Sequence, residues 1–165
     1  MNIFVVHNNP KISARMLCSE HTSKMQLESA QMLCTIYHLQ GIKAQYKPTH
    51  ANHRCTVWAR QSKENFNWLI DHALEMSEDH KRRQGNKDYH KSRAVTLWCR
   101  DNQDKLVFPS VGLTQFAVAI KPEHSFCIVD GDPIQSYRNF YIYVKSKFAT
   151  WKNCNPPEWY LKRSE

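Results

Sequence analysis

The sequence predicts a mainly α fold: a single compact helical domain over residues 1–165, with long loops and at most a short β element. Three observations predict it. Apolar residues recur at helical spacing through long stretches of the chain. Capping residues, prolines and glycines bracket those stretches. The segments suited to strands, "NIFVV" and "GLTQFAVAI", are short. With 165 residues, 41% of them hydrophobic and 23% charged, the chain is sized for one domain with a moderate core. No repeat, low-complexity tract or linker divides it.

"NIFVV" is expected as a short strand or a buried extended lead-in. Asn9 before Pro10 reads as an N-cap with proline at the first helical position. Helical pattern then runs to Gln40, with a break near Ser19, and Gly41 is placed to stop it. A second helical region is expected from about Thr56 to Gln84, with Phe66, Leu69, Ile70, Ala73 and Met76 as its apolar stripe. Lys81, Arg82 and Arg83 precede Gly85, the charge that suits a helix C-terminus. "NKDYHKSRAVTLWCRDNQDK" is basic and mixed, and residues 102–105 read as a turn. "GLTQFAVAI" fits either helix or strand. Asp132 and Pro133 open the last clear helix, with Ile134, Tyr137, Tyr141, Val144 and Phe148 on one face. The tail, with Pro156 and Pro157, cannot run through as regular helix, and Trp159 and Tyr160 are expected to lie back on the body.

A net charge of +8 favours polyanionic partners, nucleic acid first. "MNIFVVHNNP" has no basic n-region and too short an apolar run for a signal peptide or a membrane span. The six cysteines show no CxxC, so reduced thiols are expected rather than a disulfide framework or a zinc ribbon. His50, His53 and Cys55 lack a matching second half, and no metal or other cofactor is expected.

The first long helix carries the chemistry. At about 100° per residue, His21, Lys24, Glu28 and Gln31 fall within about 80° of one another. Thr22, Gln26 and Ser29 lie on nearly the opposite side and read as the solvent face. The ionisable stripe would then point at apolar neighbours, where a carboxylate and an amine need partners. An exposed Lys24–Glu28 pair, worth a few tenths of a kcal/mol, is the plain alternative. A cleft wall is the functional one, with an amine to attack a sugar carbon and a carboxylate to shuttle protons. His21 would hold a phosphate or act as the acid, and Gln31 would serve recognition.

This helix resembles that of the phage pyrimidine-dimer DNA glycosylases with AP-lyase activity, called endonuclease V in their phage form. That family has a histidine, the catalytic glutamate seven residues later, and a basic residue three beyond. His21 and Glu28 match the first two positions, and Gln31 takes the third. "TVWARQSKENFNWLIDHALEMSEDHKRRQG" is similar to the family's second long helix, and "PPEWY" to its closing aromatic stretch. The arrangement also looks like uncharacterised phage proteins of about this length. The resemblance implies a helical fold, DNA as partner through its phosphates and a flipped base, and a cytoplasmic setting, that of the host for a phage protein. The family's nucleophile is the α-amine of a threonine exposed by loss of the initiator methionine. Here residue 2 is Asn2, before which methionine is usually kept, and more residues precede His21. The N-terminal amine is therefore not expected to reach Glu28; either Lys24 substitutes for it, or the protein keeps the fold and hydrolyses through an activated water, or it only binds.

Arg60, Arg82, Arg83, Lys87, His90, Lys91 and Arg93 form the densest basic supply, interleaved with Trp58, Tyr89 and Trp98. Arg138, Lys145 and Lys147 add to it on the last helix, and His53 joins from the cleft side. Such mixtures suit phosphate contact plus base stacking. The sequence therefore points to a DNA-processing enzyme, an N-glycosylase on a flipped pyrimidine with or without lyase activity. Catalysis would rest on Glu28, Lys24 and His21. Gln31, His53, Arg60, Arg82, Arg83, His90, Arg93, Arg138 and Lys145 would contact the nucleic acid. A non-enzymatic nucleic-acid-binding or host-interaction protein, and an enzyme on free nucleotides or modified bases, are the rivals. Oligomeric state is left open.

Overall fold

A computed structural model describes residues 1–162. Asn9 caps α1 (Pro10–Met16) by accepting from the Lys11 and Ile12 amides, as the Asn-Pro pair predicts. The chain breaks at Leu17 and Cys18, and α2 (Ser19–Leu39) runs until Gly41 turns left-handed at φ 74°. Helix α3 (Arg54–Ala59) is followed, after a turn, by α4 (Lys63–Arg83). The helical region expected from about Thr56 to Gln84 is therefore two helices. Ser62, at φ −147°, is extended, and its hydroxyl accepts from the Asn65 amide to start α4.

Helix α5 (Ser92–Asp101) arises in the stretch read only as basic and mixed. Helix α6 (Pro133–Tyr143) starts at the Asp132 cap but stops at Tyr143, so Val144 and Phe148 lie beyond it rather than on its face. A 3₁₀ turn, Lys145–Lys147, takes over there. After the paired prolines a short α7 (Glu158–Leu161) closes the described chain. Trp151 donates to the Met16 carbonyl and Trp159 lies against the Met16 sulfur, so the tail packs back on α1 as expected.

Neither strand candidate becomes one, and among the described residues only isolated bridges occur. "NIFVV" is the buried lead-in. "GLTQFAVAI" is irregular: Phe116 and Ile120 are buried, and the Tyr137 hydroxyl donates to the Ala117 carbonyl while accepting from the Ala119 amide.

Helix α2 sits at the centre, packed on α4, α5 and α3. Met32, Leu33, Ile36 and Tyr37 are fully buried along it, each burial contributing roughly 1.5–3 kcal/mol. The face read as solvent-exposed is not: Thr22, Gln26 and Ser29 are buried. Thr22 Oγ1 and Gln26 Nε2 donate to the Cys18 and Thr22 carbonyls of their own helix, whereas Gln26 Oε1 and the Ser29 hydroxyl are buried without a hydrogen-bond partner among the described residues. The described cysteines are free thiols.

Candidate active site

The chain's beginning curls into the fold. The Asn2 side-chain oxygen accepts from the Ile3 and Phe4 amides, and its nitrogen donates to the Ala119 carbonyl. Phe4 then adopts φ 44°, a left-handed conformation that costs a bulky residue about 1–3 kcal/mol. Ring contacts hold it there: Phe4 stacks on His21 at 4.0 Å and meets Tyr137, Phe140 and Tyr141. The Met1 side chain is buried, with its sulfur receiving the Thr56 hydroxyl at 3.8 Å.

This curl brings the Met1 α-amine to 3.3 Å from Glu28 Oε2. The expectation that the amine falls short is overturned, because extra residues are taken up in the curl rather than in reach. Glu28 Oε1 faces Lys24 Nζ at 3.6 Å, so the carboxylate bridges two amines. Their settings differ. The Lys24 side chain is 70% exposed, whereas that of Glu28 is 14% exposed. Glu28 Oε2 has no aligned hydrogen bond despite its burial, leaving it an ion-pair partner with a lone pair free.

Both groups line an open cleft of about 640 Å³ with His21, His53, Lys121, Glu123, His124, Phe140, Lys145 and Phe148 among its walls. Four cationic groups face three carboxylates there. Glu20 is committed, accepting from the Thr150 amide and hydroxyl, and Glu123 lies 3.9 Å from Lys121. Glu28 is thus the carboxylate that lies largely buried in the cleft wall with an amine on each oxygen.

His21 is held between Phe4 and Phe148 and shares a 2.5 Å hydrogen bond with the Tyr141 hydroxyl. Burial, helped by Lys145, pushes its pKa down to about 3. At neutral pH it is an uncharged imidazole, suited to hydrogen bonding rather than to attracting phosphate or giving a proton. His53 caps α3 by accepting from the Cys55 amide; burial and the N-terminal charge lower its pKa too. Lys145 hangs over the rings of Phe140, Phe148 and Phe4 at 4.7, 5.5 and 5.8 Å, and burial lowers its pKa.

Of the residues singled out in the sequence, the structure brings His21, Lys24, Glu28, His53 and Lys145 together. The rest line no part of the cleft. Gln31 is half-buried further along α2. Arg60 donates to the Ala51 carbonyl. Arg83 is buried against Asp79 at 2.6 Å and donates to the Arg15 carbonyl, a tie between α4 and α1. Arg82 also pairs with Asp79, Arg93 with Glu78, and His90 bonds Ser92. Arg138 donates to the Val6 carbonyl. Trp58 is core, Trp98 packs against it, and Tyr89 is clasped by Lys81 and Arg93. Sequence reasoning weighed the Met1 amine but missed Lys121, His124, Phe140 and Phe148 as cleft groups. The charged run Lys121-Pro122-Glu123-His124 was the one available signal.

Residues 1–94 match the family described as pyrimidine dimer DNA glycosylase. No curated protein and no solved structure matches the chain. The match includes Met1, His21, Lys24, Glu28 and His53, and membership brings nucleic-acid contact with it. No helix among the described residues is long and apolar enough to cross a membrane. Over more than half its length, then, this chain carries a DNA glycosylase/lyase-type domain and belongs to the pyrimidine dimer DNA glycosylase family.

Proposed function

We propose that the protein cleaves the glycosidic bond of a flipped pyrimidine nucleotide in DNA and then cuts the strand, with the Met1 α-amine as nucleophile and Glu28 as proton carrier. The 3.3 Å approach of the amine to Glu28 carries this reading. An α-amine is a weaker base than a lysine amine and offers more free base at neutral pH. Met1 is also fixed by its buried side chain, while Lys24 extends into solvent.

Glu28 takes a proton from the amine, whose nitrogen attacks C1′ of the target sugar. The C1′–N bond to the base breaks, and the base leaves with its electron pair and a proton. Ring opening gives an imine between Met1 and C1′. Loss of a 2′ proton expels the 3′ phosphate, and water then releases the protein. Glu28 sits to move the protons of these steps. Lys24, on its other oxygen, keeps the carboxylate in place and adds positive charge at the mouth. Neutral His21 donates or accepts a hydrogen bond at the sugar, and Lys145 holds a backbone phosphate on the opposite wall.

Glu28→Gln tests this. It keeps volume and hydrogen bonding, so stability should stay within about 1–2 kcal/mol. Cleavage of abasic DNA should fall at least about a hundredfold. If Glu28 were only a salt-bridge partner, cleavage would be intact.

A further inference from the structure

The amine that faces Glu28 sits on no regular element, because residues 1–9 precede α1 and form neither helix nor strand. Its neighbour in the chain is the group best placed to fix it. Asn2 is 6% exposed, and its carboxamide is bonded on both sides. Oδ1 accepts from the Ile3 amide at 2.8 Å and the Phe4 amide at 3.2 Å, while Nδ2 donates to the Ala119 carbonyl at 2.9 Å. Amides only donate and a carbonyl only accepts, so the group has one possible orientation.

The receiving carbonyl is itself held. The Ala119 amide donates to the Tyr137 hydroxyl, that hydroxyl donates to the Ala117 carbonyl, and Arg54 reaches the Val118 carbonyl between them at 3.4 Å. Tyr137 is fully buried on α6. Hydrogen bonds therefore run from α6 through Ala119 to Asn2, and the next residue carries the amine 3.3 Å from Glu28. The curl is kept against strain, with Phe4 at φ 44°, and strain of this kind collects where a group must be aimed. The side chain is chemically specific too. Aspartate would set a carboxylate against the Ala119 carbonyl, and leucine, of similar size, would make none of these bonds.

We propose that Asn2 is a positioning residue: its carboxamide, clamped between the Ile3 and Phe4 amides and the Ala119 carbonyl, aims the Met1 α-amine at the sugar carbon beside Glu28. This rests on Met1 as the nucleophile and adds what directs it. A shift of about 1 Å in an attacking atom can slow a reaction about a hundredfold. Loss of the clamp should therefore appear in bond formation and leave DNA binding in place.

The test uses Asn2→Leu and Asn2→Asp, with intact mass showing Met1 retained in each. The rate of borohydride-trapped adduct formation with abasic DNA, and kcat for strand cleavage, should fall about tenfold to a hundredfold, while Kd for a duplex bearing a tetrahydrofuran abasic analogue stays within about twofold. Tyr137→Phe leaves residues 1 and 2 untouched and loosens only the receiving segment. It should show the same split at smaller size, and it reads the clamp even where an Asn2 variant fails to fold. Trapping at the wild-type rate in Asn2→Leu would overturn the positioning role. So would parallel losses of binding and rate in all three variants, the mark of a merely structural side chain. Absence of any adduct from wild type would remove the amine chemistry and the aiming role together, whereas a wild type and variants that trap alike would remove the aiming role alone.

Discussion

The cleft has two walls of different origin. One comes from residues 1–94, the family-matched region, and is built from the curled lead-in, α2 and the His53 cap of α3. The other comes from residues beyond 94 and consists of a loop, two 3₁₀ turns and α6, with Lys121, Glu123, His124, Phe140, Lys145 and Phe148 facing in. Reactive groups occupy the first wall, and the second offers lysines and rings. Helix α2 holds the carboxylate, and the curled lead-in packed on it holds the Met1 amine 3.3 Å away, the close placement that bond-making requires. Irregular segments tolerate changes in length and sequence. Under the proposed function, the chemistry falls to the first wall and contact with the DNA to the second.

Variants on each wall separate their contributions. The largest effect belongs to the first: Glu28→Gln should lower turnover at least about a hundredfold at saturating DNA. On the second wall, Lys145→Met keeps the stem over Phe140 but removes the charge. It should raise KM several-fold, leave kcat near wild type, and reduce the salt dependence of binding by about one phosphate contact. A large fall in kcat for Lys145→Met would make the second wall part of the chemistry and erase the distinction.

A smaller effect, on stability alone, should also divide along this line. His72 on α4 is fully buried, stacked on Trp68, and has no hydrogen-bond partner for either ring nitrogen among the described residues. Burial pushes its pKa down to about 3, as it does for His21. The unfolded chain binds these protons near pH 6.5 and the folded chain does not. Stability is therefore full above about 6.5 and falls as pH drops towards 3. His72→Phe should flatten that acid limb in melting curves without loss at pH 7. An unchanged limb would show that His72 is not its source and leave it to His21 on α2.

Sequence made the first wall more legible than the second. Caps and prolines marked α1 and α6, glycines marked the ends of α2 and α4, and the spacing of His21, Lys24 and Glu28 placed them on one edge of α2. Helix α5 stayed hidden because its buried positions Ser92, Val95, Thr96 and Cys99 have helical spacing but are half polar. The α3–α4 break had a signal in Ser62, masked by apolar periodicity on both sides. The solvent face of α2 was misassigned because Thr22, Gln26 and Ser29 are polar, yet a central helix is covered on more than one side. The amine's position depends on a curl at Asn2 and Phe4 that residue counting cannot see. Lys121, His124 and Phe140 reach the cleft only through tertiary closure.

In the proposed mechanism the Met1 α-amine, not Lys24, forms the covalent bond. Borohydride reduction during reaction with abasic DNA fixes the imine as a stable amine. The adduct is then digested and mapped by mass spectrometry on protein whose intact mass shows Met1 in place. The account predicts the sugar remnant on the Met1 peptide, with trapping retained in Lys24→Met and lost when the α-amine is acetylated. An adduct on Lys24, or trapping that survives acetylation, would contradict it.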